Sequence, residues 1–127
     1  MEILNVLAAA VGAFAFGAAW YMSLAKQWMA ATGITDAQQQ GAGSKPYIIA
    51  MVGCIFTAGM MRHIFAAAAI TSVGSGIMAG LGIGLFIAAP WIINNCAFEG
   101  RPASLMWING GYAVGGSTII GFILTLF

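Results

Sequence analysis

An all-α fold, an integral membrane four-helix transmembrane bundle with short loops, is what this sequence predicts, and three observations predict it. Its 127 residues are 61% hydrophobic and only 6% charged. A soluble chain carries about 25% charged residues and needs them to cover its surface in water. The apolar residues fall into runs of about 20, the length an α-helix needs to cross roughly 30 Å of hydrocarbon. The polar residues gather in two stretches flanked by Trp and Tyr, which settle at the headgroup level because they pair an apolar body with a polar tip. Residues 1–127 therefore read as one transmembrane domain.

The first span is expected over about 3–24. The opening Met1-Glu2-Ile3-Leu4-Asn5 is acidic, whereas a cleaved signal peptide needs a basic segment there, so this helix is expected to be retained. Ala13 and Gly17 form a small-xxx-small pair suited to close helix packing. The run ends on Trp20-Tyr21, then Lys26, Trp28 and Gly33, the signature of a helix leaving a bilayer.

Residues 25–45 make an interfacial, polar loop. Leu24, Trp28 and Met29 fall at helical spacing, so this part is expected to lie flat at the interface. Thr35-Asp36-Ala37-Gln38 has capping-box spacing, predicting a short surface helix from Asp36 that Gly41 and Gly43 end. The second span, about 46–70, opens on Pro46, well suited to a first helical turn. Arg62 lies about 24 Å along from Pro46, near the far edge of the core, where its side chain can reach the headgroups.

Thr71 to Gly76 reads as a tight turn by composition. The third span is expected over about 77–93. Gly76, Gly80 and Gly84 repeat every fourth residue on one stripe, along which a partner backbone can approach closely. Pro90 frees the carbonyl of Phe86 and predicts a kink. Asn94 to Pro102 is the second polar loop, and the fourth span is expected over about 103–127, with Gly111 and Gly115 as another four-spaced pair.

Four spans put loops 25–45 and 94–102 on one side of the membrane and both termini on the other. Lys26, Lys45 and Arg101 weight the loop side, so the positive-inside rule makes the loops cytoplasmic and the termini periplasmic. Trp20, Tyr21, Trp28, Tyr47, Trp91 and Trp107 all fall on that loop side.

Few residues offer chemistry. Asn94, Asn95, Glu99, Arg101 and Asn109 form the densest polar collection. They read either as a ligand face, shared with Trp20, Tyr21, Trp28 and Trp91, or as a capped helix end with a neutralised ion pair. His63 is a weak cofactor-ligand candidate. Cys54 and Cys96 stand in apolar runs without metal or redox spacing and read as small core residues. There is no Ser/His/Asp set, no paired carboxylates in a span and no His-rich helix, so no enzyme, no catalytic residue and no metal site is expected. The net charge of +1 offers nucleic acid no basic footprint.

Asn5, Gly17-x-x-Trp20-Tyr21, Lys26-x-Trp28-Met29, Gly33-Ile34-Thr35, Phe98-Glu99-Gly100-Arg101-Pro102 and Ile108-Asn109-x-Gly111-Tyr112 together resemble the small bacterial membrane family known as domain of unknown function 1761. The resemblance covers nearly the whole chain. It implies a four-span helical protein of the bacterial inner membrane and supplies no activity. The W-Y also invites comparison with tryptophan-rich sensory (translocator) proteins, but those have five spans and a proline-rich pattern absent here.

Two function classes follow. The first is a non-enzymatic accessory subunit packing through its glycine stripes on a larger membrane complex of respiratory or photosynthetic type, or on itself. The second is a sensor or carrier of a small hydrophobic ligand, a bound lipid or pigment, at the aromatic face. A small transporter is least supported, because mid-depth positions lack ionisable groups. Membrane lipids and other transmembrane subunits are the expected partners.

Overall fold

In the computed structural model, which describes residues 2–127, the chain is all-helical and no strand occurs among the described residues. Met1, the first residue of the expected domain, lies outside the described residues. The elements are α1 (Glu2–Ser23), α2 (Ala25–Thr32), α3 (Asp36–Gly41), α4 (Lys45–Ala67), α5 (Val73–Ile83), a π-helical turn (Gly84–Ala88), α6 (Ala89–Phe98) and α7 (Ala103–Leu124). The stretch α5–π–α6 is one continuous helix, Val73–Phe98.

Local chemistry explains most boundaries. Thr35 accepts from the Gln38 backbone while the Gln38 side chain accepts from the Thr35 backbone, a complete capping box at the start of α3. Pro46 sits in the first turn of α4, where its missing N–H is no loss. Gly33 and Gly100 hold φ of 74° and 70°, the left-handed conformation that closes a helix end without a Cβ clash. Ala69 closes α4 in the same way with φ 56°, and the Ile70 N–H reaches back to the Phe65 carbonyl at 2.9 Å.

Three expected boundaries need correction. The second span ends at Ala67 rather than 70, because the Ala69 turn consumes its last carbonyls. The tight turn does not reach Gly76: Ser72 accepts from the Ser75 backbone N–H and caps α5, so Val73 to Gly76 are already helical. The second polar loop is shorter than 94–102, since Asn94 to Phe98 continue α6 and the chain turns only from Glu99 to Pro102. Amides alone do not break a helix whose C-terminal glycine lies beyond them. Just before Pro90, where a kink is expected, the helix makes a π turn in which the Ala89 N–H reaches the Gly84 carbonyl five residues back.

Ends pair with ends. The indole Nε1 of Trp20 donates to the Ile108 carbonyl at 2.8 Å, and Arg101 Nη1 lies 3.5 Å from the Thr32 carbonyl. At the opposite end Asn5 Nδ2 donates to the Phe127 carbonyl at 2.7 Å, and Glu2 lies 3.8 Å from Arg62. The long helices therefore alternate in direction, and the two connecting stretches share one end of the molecule, called here the loop end.

Helices Glu2–Ser23, Lys45–Ala67 and Val73–Phe98 are long and apolar enough to cross a membrane. Helix α7, with Asn109, Ser117, Thr118 and five glycines, is not among those three. It is the central helix, packing against α1, α4, α5 and α6 and burying Leu105, Ile108, Gly110, Gly116, Ser117, Ile120, Gly121 and Leu124. A helix enclosed by its neighbours can carry small and polar residues, because those neighbours stand between it and the surroundings. The core around it holds Ala9, Ala10, Ala13, Cys54, Ala58, Met61, Phe65, Ile120 and Leu124.

Candidate functional site

The α5–α7 contact is backbone on backbone. A Cβ added at Gly76 would lie 2.5 Å from the Gly121 carbonyl oxygen, one at Gly80 would strike the Ser117 carbonyl, and one at Gly84 would sit 2.7 Å from Val114 Cα. The stripe expected to receive a partner is thus filled by this chain's own α7. The α1–α7 contact is built otherwise, from aromatic rings set against glycines. Trp20 lies on Gly111, Phe16 on Gly115, and Tyr112 on Gly17. Ala13 is buried on the same side of α1. All seven small residues singled out for packing are used inside the chain.

At the loop end this ring-and-glycine packing leaves space. A cleft of about 550 Å³ lies between α1 and α4 beneath the α2–α3 segment. Phe14, Gly17, Ala18 and Ala50 form its apolar wall, and Asp36, Gln39 and Gln40 of α3 its polar rim. A second cleft of about 490 Å³ is lined by Thr32, Asn95, Glu99, Arg101 and Asn109. Tyr21, Trp28 and Tyr112 belong to the walls of both and form the partition between them.

That partition is held by hydrogen bonds and ring packing. The Tyr21 hydroxyl donates to Asn109 Oδ1 at 2.7 Å. Tyr21 and Tyr112 pack edge to face with centroids 5.4 Å apart, a geometry favoured by the ring quadrupoles. The Tyr112 hydroxyl has only the Cys54 sulfur in reach, at 3.5 Å, and sulfur is a weak partner. Arg101 Nε lies 3.4 Å from Glu99 on the open side of the second cleft. An exposed pair of this kind contributes about 0–1 kcal/mol, so it neutralises rather than fastens.

The structure thus unites Tyr21, Trp28, Asn95, Glu99, Arg101 and Asn109. It separates Trp91, which is 68% exposed and turned outward, and Asn94, also exposed; neither lines a cleft. Trp20 acts as a packing residue. His63 lies exposed on α4, and no group of three metal-ligating side chains occurs among the described residues. Sequence reasoning missed Tyr112, Cys54 and the rim residues Asp36, Gln39 and Gln40. Tyr112 carried a usable signal: it stands three residues beyond Asn109, on the same side of α7.

The fold defines the class first: the described residues are all-helical with three helices long and apolar enough to cross a bilayer, consistent with a multi-pass membrane protein. The family follows from comparison, since the family model described as "Protein of unknown function (DUF1761)" matches residues 4–125. The chain belongs to that family. No curated protein and no solved structure matches it.

Proposed function

We propose that this protein is a non-enzymatic, four-span protein of the bacterial inner membrane that binds a small hydrophobic or amphipathic molecule at its loop end. The observation that carries the reading is the cleft of about 550 Å³ between α1, α4 and the α2–α3 segment, with an apolar wall and a polar rim. Volumes of about 300–1,000 Å³ lined by apolar and aromatic groups with a few polar ones are typical of small-molecule sites. Helix α7 is the fourth span in this reading, shielded from lipid by the other three. Lys26, Lys45 and Arg101 near the loop end support a cytoplasmic loop end and periplasmic termini in this reading.

The accessory-subunit reading takes second place because the stripe Gly76, Gly80 and Gly84 meets α7, leaving no close-approach groove on that side. Extraction of the protein, purified in mild detergent, followed by mass spectrometry tests the proposal. A stoichiometric small molecule, lost in Trp28→Ala but kept in Trp91→Ala, is the expected result. Finding no bound molecule in wild type, and no quenching of Trp28 by brominated acyl probes, would overturn it.

A further inference from the structure

The chemistry of the larger cleft narrows what it takes, and this step rests on the binding role proposed above. About 550 Å³ gives room for about eighteen water-sized groups at about 30 Å³ each. That is a compact head and much of one chain, well short of a two-chain phospholipid. Among the residues lining this cleft Asp36 is the sole charged side chain. A carboxylate or phosphate head would face a like charge within the lining; Lys26 and Lys45 stand next to the lining residues Ala25 and Pro46 without belonging to it.

Uncharged polar groups fare better. Tyr112 lines the cleft, and the Cys54 sulfur at 3.5 Å is only a weak partner for its hydroxyl, which leaves that hydroxyl able to donate to a ligand oxygen. Asp36, Gln39 and Gln40 at the rim can accept from ligand hydroxyls. We infer that the cleft binds a single-chain amphiphile whose head is uncharged and carries both a carbonyl and hydroxyls, as a monoacylglycerol does. The chain runs along the Phe14–Gly17–Ala18 wall, the carbonyl meets Tyr112, and the hydroxyls meet the rim.

The test uses the full chain in detergent micelles with two dibrominated probes, a monoacylglycerol and the fatty acid of the same chain, the latter at a pH that ionises it. Quenching of Trp28 reports binding, and Trp28→Phe identifies that signal. The monoacylglycerol should bind at least about tenfold tighter, and Tyr112→Phe should remove about tenfold of its affinity, the scale of one hydrogen bond. Asp36→Lys, at an exposed position, should strengthen fatty-acid binding instead. Equal or tighter fatty-acid binding in wild type, or no effect of Tyr112→Phe in a variant with unchanged thermal stability, would overturn the ligand class while leaving the binding role standing. Absence of quenching by either probe, together with no extractable molecule, would overturn both.

Discussion

Two contacts made by the same helix are built on opposite plans. Toward α5, α7 offers Gly121 and the backbone at Val114 and Ser117 to the stripe of Gly76, Gly80 and Gly84, so two backbones meet with nothing between them. Toward α1 it offers Gly111 and Gly115 to the rings of Trp20 and Phe16, and puts its own Tyr112 on Gly17. Glycine against glycine closes a seam and leaves no room for a ligand. Ring against glycine holds helices apart where the rings stop, and the clefts open there. The contrast teaches that a four-spaced glycine pair marks close packing, while its partner decides whether that packing is sealed.

The seam should be the more fragile of the two. Gly80→Val is expected to lose about 3 kcal/mol or more, because the new side chain meets backbone that cannot move aside. Gly82→Ala, on the open side of the same helix with nothing within 4 Å, should be neutral or stabilising by up to about 1 kcal/mol. Denaturant titration of both in one detergent measures the difference, and equal losses would break the comparison.

Next in size is Gly111→Ala, expected to lose about 1–2 kcal/mol as the Trp20 ring shifts. A ring can give way where a backbone cannot. The Trp20 Nε1 bond to Ile108 should weaken with it, visible as a change in tryptophan emission. Tyr21→Phe removes the bond to Asn109 and should lose about 0.6–1 kcal/mol, read from the same titration. Smallest is Ala69→Gly, outside both regions, expected to gain about 0.5 kcal/mol by relieving a left-handed alanine. A loss of stability there would show that Ala69 is held for its side chain.

Much of the fold could be read locally. The Thr35–Gln38 capping box, the start of α4 near Pro46, the glycine-ended helix at Gly33 and the loop-end clustering of aromatics all follow from neighbours a few residues apart. The boundaries at 67, 73 and 98 do not follow from composition, because turn and cap geometry set them. Thr71 to Gly76 is rich in turn residues, yet Ser72 makes it a helix start; Asn94 and Asn95 are polar, yet Gly100 sets the helix end. The candidate site was half legible. Glu99, Arg101, Asn109 and Tyr21 follow from the sequence and line the second cleft, whereas Trp91 points outward and Tyr112, in both clefts, has no local signal beyond its spacing from Asn109.

The sequence by itself determined that the chain is helical, which runs are apolar enough to enter a bilayer, where α2 ends and α3 and α4 begin, and that Gly76, Gly80 and Gly84 share a stripe. These are matters of hydrogen bonding, hydropathy and a 3.6-residue period. Only the tertiary structure decided that the stripe faces α7, that the glycine-rich helix carrying Asn109 and Ser117 is the central one, and that Tyr21, Trp28 and Tyr112 enclose two clefts. The reason is physical. In soluble proteins burial tells a helix face where to go, but lipid is as apolar as a packed neighbour. Hydropathy therefore cannot say which face meets protein, and shape complementarity between particular side chains makes that choice.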